Sequence, residues 1–146
     1  MLYTYDPKLV TVIYGGVLIT GFADGTFVKV SRNSDTFSLQ MGVDGHATRT
    51  KSNDNSGKFE VTLSQASPSN PILYALWKID QMAPLGVGVK PMIVKDLSGS
   101  SLHAAPTTWI VKPSDAEYAK EAGSRVWMFE TDLMDGLVGT NFPAGV

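Results

Sequence analysis

Two short runs of this chain alternate strictly between apolar and polar residues, and a long polar stretch separates them. In TFSLQMG, Phe37, Leu39 and Met41 alternate with Thr36, Ser38 and Gln40; in KFEVTLSQ, Phe59, Val61 and Leu63 alternate with Lys58, Glu60, Thr62 and Ser64. A period of two places one set on a buried sheet face and the other on a wetted face. The stretch between them, GVDGHATRTKSNDNSGKF, runs from Gly42 to Phe59 and is rich in Ser, Asn, Gly and charge. It reads as a linker, a ligand loop or an arm that reaches a neighbouring molecule.

The rest of the chain is mostly β in character. LVTVIYGGVLITGF holds two β-branched runs around Gly15-Gly16, a dipeptide suited to the positive φ angles of a tight hairpin turn. SPSNPILYALWKIDQM carries the one strong helical signal, with Asn70 as a cap, Pro71 in the first turn, and Ile72, Ala75, Leu76 and Ile79 at helical spacing. VKPMIVKDL is a further strand whose Pro91 suits an edge or a bulge. TTWIVK and SRVWMFETDL are later strands, and Ser114, Glu117 and Gly123 between them predict a brief helical turn. The order of strands, one helix, then strands predicts a mainly β chain of two packed antiparallel sheets, a sandwich or barrel, with one flanking α-helix and a long hairpin loop. Trp77, Trp109 and Trp127 are expected to pack between sheet and helix. With 146 residues and no repeat or linker, residues 1–146 are expected to form one domain.

Composition excludes several function classes. The chain has no Cys, which rules out thiol catalysis, disulfides and Cys-based zinc sites. A net charge of −2 and a pI near 5.6 leave no basic footprint for tight phosphate binding. No apolar run approaches the roughly 20 residues that span a bilayer, and MLYTYDPKLV lacks the pattern of a signal peptide, so a soluble, unprocessed chain is expected. His46 and His103 stand in no metal-ligand spacing, and His46 with Asp44 makes only a weak pair. DNSGK lacks the remainder of a phosphate-binding loop, and GVGVK lacks the third Gly of a dinucleotide fingerprint. Glu130, Asp132 and Asp135 in FETDLMDG fit a wetted strand end better than a calcium site. No nucleophile, base and orienting group can be named together, so no catalytic, cofactor or metal residues are assigned and no enzyme is expected.

Three segments in order carry a resemblance: the G.DG..TR.KSN..SG loop, the L.Q.SPSN..L helix entry, and the KP.DAE..KEAG.R.W.FETD run. From about Val10 to Asn141 the chain resembles the tail tube proteins of contractile-tailed bacteriophages. That resemblance implies six-copy rings stacked into a hollow tube inside a contractile sheath. One sheet of each subunit would join its neighbours in a continuous β-barrel around the lumen. It also implies a location in the virion tail after synthesis in the host cytoplasm. The implied partners are other copies of the chain, the sheath protein, and baseplate and tail terminator proteins. DNA passes transiently, and no membrane is involved.

Under that reading Thr36, Ser38, Gln40, Glu60, Thr62 and Ser64 are candidate lumen-facing residues. The loop at about 42–58 becomes an inter-subunit arm, with Asp44, His46, Arg49, Lys51, Asn53 and Asp54 as its contact residues and the strands on either side paired in one sheet. Two alternatives stand beside it: an inner-tube component of a contractile secretion or injection system, and a monomeric β-sandwich binding module that uses the loop as a ligand clamp.

Overall fold

A computed structural model describes residues 1–145. The strands are β1 (Val10–Tyr14), β2 (Val17–Ile19), β3 (Val28–Arg32), β4 (Phe37–Met41), β5 (Ala47–Lys51), β6 (Gly57–Ser64), β7 (Lys90–Asp96), β8 (Leu102–Lys112), β9 (Ser124–Thr131) and β10 (Asp135–Leu137), with one α-helix, α1 (Ser69–Met82), between β6 and β7. An eight-stranded antiparallel sheet has the order β2-β1-β7-β8-β9-β6-β3, with β10 added to β8, and β4 and β5 form a separate two-stranded sheet. The expected mainly β architecture, with antiparallel sheets and one helix, is what the chain adopts.

The packing comes from one sheet curling on itself. β8 is the bend: its first half pairs with β7 and β10 and its second half with β9, and the register shifts at Lys90/Met92 and Ile110/Lys112. Such irregularities sharpen the local twist. Pro91 sits in the first of them, inside an interior strand and not at an edge. The curl brings β1 against β9, so the Tyr14 and Phe129 ring centroids lie 5.0 Å apart. Val12, Ile19, Phe59, Val61, Leu63 and Trp127 fill the space between the two halves. No ladder joins β2 to β3 among the described residues, so the chain forms an open curled sheet and not a closed barrel.

The hairpin at Gly15-Gly16 forms as its sequence predicts, with φ of 59° and 82°. The helix differs in detail from expectation. Asn70 lies inside it, and its side chain donates to the Ser64 and Gln65 carbonyls while accepting from Trp127 Nε1 at 3.0 Å. The face turned inward carries Ser69, Leu73, Leu76 and Trp77, whereas Ile72, Ala75 and Ile79 face outward. Asp80 on the inward side holds the Gly88 amide at 3.1 Å, which fixes the turn after the helix. Trp109 is on the opposite face of the sheet from the core, across from Glu130. Residues 113–123 form no helical turn; the Glu117 carbonyl accepts from Arg125 Nη2 at 3.3 Å, and Lys112 Nζ lies 3.9 Å from the Asp115 carboxylate.

Candidate functional site

The polar stretch folds into a projecting hairpin. A turn at Gly42–His46, closed by the Gly42 amide on the His46 carbonyl at 2.7 Å, returns the chain as β5 alongside β4. Gly45 there has φ of 86°, a conformation that costs a residue with a Cβ. The flanking strands therefore do not pair with each other: β5 takes the hydrogen bonds of β4, and β6 pairs with β3 and β9. From Thr36 to Gly42 the hairpin extends roughly 20 Å at about 3.3 Å per residue.

Its two faces differ. One carries Phe37, Leu39 and Met41 from β4 opposite Lys51, Arg49 and Ala47 from β5; the other carries Ser38 and Gln40 opposite Thr50 and Thr48. The apolar side chains have no cover: Phe37 is 48 %, Leu39 70 % and Met41 59 % exposed. The Arg49 guanidinium stacks 3.7 Å above the centre of the Phe37 ring. Burying such side chains is worth about 1.5–3 kcal/mol each, and a lone two-stranded hairpin is marginal in water.

Its root is held by Asp54. The carboxylate accepts from Ser34 Oγ at 2.5 Å and from the Ser56 amide and hydroxyl at 2.9 and 2.6 Å, and Asn33 Nδ2 reaches Ser56 Oγ at 3.0 Å. These donors, Ser34 first, pull the Asp54 carboxyl down to about 2. Gly57 follows, where a Cβ would come within 2.5 Å of Met134 Cε, so only glycine lets β6 start there without displacing that side chain.

The predicted arm residues thus divide. Asp44 and His46 meet at the tip, 2.8 Å apart; Arg49 and Lys51 share the apolar face; Asn53 is exposed near the root; Asp54 is engaged within the subunit. The predicted lumen residues also divide: Thr36, Ser38 and Gln40 belong to the arm, and Glu60, Thr62 and Ser64 to the outward face of the large sheet. That sheet face has neighbours that sequence order conceals. Lys29 stands opposite Glu60, Lys58 opposite Glu130, and Lys112 opposite Met128. Lysines are therefore not scarce there, but the first two each face a carboxylate.

A cavity of about 480 Å³ lies inside the curl, lined by Tyr5, Val10, Val28, Val30, Asp96 and His103. Burial pushes the His103 imidazole below its ordinary pKa, and the Arg32 charge adds to that. Among the described residues no group of His, Asp and Glu is arranged to hold a metal ion, and no helix is long and apolar enough to cross a membrane.

The chain is thus an open curled sheet with an uncovered amphipathic hairpin, and comparison with known proteins shows its family. The family model described as the bacteriophage PhiTE tail tube protein matches residues 8–139. The chain belongs to that family. Its members are structural proteins of the phage tail and not enzymes. A structural protein, ORF10, of Pseudomonas phage KPP10 is 30 % identical to this tail tube family member over 131 residues, covering 86 % of this chain and 76 % of that protein. Two solved structures share its fold at 12 % identity. The tube terminating cap of the anti-feeding prophage has a TM-score of 0.62 over 94 % of this chain and 93 % of that one. The sheath/tube terminator of the extracellular contractile injection system PVC, in its extended state, has a TM-score of 0.63 over 93 % of this chain and 98 % of that one.

Proposed function

We propose that this chain, as one tube-forming unit, builds the hollow inner tail tube from stacked hexameric rings, and that the arm locks each copy to a neighbour. The tube is the conduit for DNA ejection inside a contractile sheath and ends on baseplate and terminator proteins. Family membership supports the tube, and the observation that carries the arm's role is the exposed apolar face of Phe37, Leu39 and Met41. Unpaired backbone on β2, on β3 and along the arm offers edges that a second copy can extend. Rings close by rotation, while ring-on-ring contacts repeat along the axis until another protein ends them.

In this reading Glu60, Thr62 and Ser64, together with Thr36, Ser38 and Gln40 on the arm, line the lumen. Lys29 opposite Glu60 and Lys58 opposite Glu130 offset one another across the ladder, which limits adhesion of a passing phosphate backbone. The test is direct. Purified protein at rising concentration should form tubes in negative stain, and Leu39→Asp should remain as monomers or single rings at concentrations where the native protein forms tubes. Tubes of normal length from the variant would refute the arm's role.

A further inference from the structure

Arg125 is buried without a countercharge. The residue is only 8 % exposed, yet among the described residues no carboxylate lies within salt-bridge distance of it. The guanidinium donates instead to two main-chain carbonyls, Nη1 to Ser124 at 3.2 Å and Nη2 to Glu117 at 3.3 Å, and lies 5.6 Å from the centre of the Tyr118 ring. A guanidinium has five donors and is never deprotonated, so a buried one normally meets a carboxylate, and removal from water without one is costly. Arg125 borders a cavity of about 400 Å³ walled by Gln65, Tyr74, Ser114, Tyr118 and Trp127. The cavity is therefore aromatic and positively charged, with Arg125 held only by neutral carbonyls and a ring.

The position of this cavity indicates what fills it. The arm leaves the sheet where β3 ends and β6 begins, at Arg32 and Gly57. Arg125 pairs with Leu63 near the other end of β6, six residues and roughly 20 Å away at about 3.3 Å per residue. One pole of the subunit projects and the other receives, which is the arrangement a head-to-tail stack needs. On the arm side Asp54 is taken up by Ser34 and Ser56, and Asp132 accepts from the Thr107 hydroxyl. Asp44 at the tip meets His46, accepting from its amide at 3.2 Å with Nδ1 2.8 Å away, yet its side chain stays 66 % exposed beside the fully exposed Val43.

We propose that the Arg125 cavity receives the arm tip of the copy stacked on it, Arg125 taking the Asp44 carboxylate and the walls of Tyr74 and Tyr118 taking Val43. This rests on the arm acting between copies, and it adds the receiving residues and the polarity of the stack.

The native chain has no Cys, so two single-cysteine proteins, Asp44→Cys and Tyr118→Cys, can be mixed, assembled and oxidised. A disulfide-linked dimer that appears in the assembled mixture, and in neither protein alone, is the expected result. Tubes that form from the mixture without that dimer overturn the proposal. If the cysteine proteins do not assemble, cryo-electron microscopy of wild-type tails decides. Arg125 within about 3.5 Å of Asp44 of the stacked copy supports it. An arm buried in a neighbour with Asp44 away from Arg125 overturns this proposal alone, and an arm left in solvent overturns the arm reading as well.

Discussion

Ser34 Oγ and Asp54 Oδ2 meet at 2.5 Å across the root of the projecting hairpin, joining the chain that enters it to the chain that leaves. That contact is why an exposed arm has a defined origin. It also makes the root sensitive to acid. The Asp54 carboxyl is held at about 2 by Ser34 and Ser56, below the unfolded value near 3.9. The depressed value means that the contribution is present above roughly pH 4 and is lost as pH falls through about 2. Protection of the Asn33 and Ser56 amides, measured relative to the intrinsic exchange rate at each pH, should therefore hold down to about pH 4 and fall below it. In Asp54→Asn that protection should be low throughout.

His103 titrates in a different window. Its pKa is lowered by burial and by Arg32, so folding favours the neutral ring, and the stability this gives is lost as pH falls below the ordinary histidine range of about 6.5. Other groups face the same cavity, among them Asp96 and Tyr5. Thermal melts between pH 7 and pH 5 should show a smaller drop in Tm for His103→Gln than for the native protein. An identical drop would contradict this role for His103.

Tyr14 places a phenol deep between the two halves of the curled sheet. Its hydroxyl donates to the carbonyl of Gly88 at 2.9 Å and is 3.3 Å from that of Thr108, and burial, with a smaller effect of Asp80, pushes it up to about 12. Tyr14→Phe should cost about 1–3 kcal/mol in urea denaturation, since buried carbonyls then lack a donor. Phe129→Ala, which empties the other side of the same contact, should cost about 3–5 kcal/mol.

Leu39 separates assembly from folding. It is 70 % exposed and lies outside the core cluster. Leu39→Asp should leave urea stability within about 0.5 kcal/mol of the native protein. The critical concentration for tube growth should rise by about tenfold or more, as expected if at least 1.4 kcal/mol of contact is lost. Sedimentation measures both states of the same sample.

These elements also show what the sequence could and could not reveal. Phe59, Val61 and Leu63 alternate because one face of β6 is dry, so their strand was plain, as was the glycine turn at Gly15-Gly16. β5 left no such mark: Ala47–Lys51 is exposed throughout and exists through its pairing with β4. The helix misled because Ser69 and Asp80 face inward to serve the chain nearby, while Ile72 and Ile79 face out. Arg125 was missed because a charged residue beginning a strand reads as a solvated end. The alternation that buries Phe129 and Trp127, continued back by two residues, reaches Arg125 and was the available signal. Lys29 and Lys112 join the candidate lumen face only through pairing that spans long stretches of sequence.

A reconstruction of the assembled tail by cryo-electron microscopy tests the central claim most directly, because it shows where the hairpin of Phe37–Lys51 goes. The account predicts Phe37, Leu39 and Met41 buried against a neighbouring copy, with Glu60, Thr62 and Ser64 facing the lumen. A hairpin projecting into solvent, or that polar sheet face turned outward to the sheath, would contradict it.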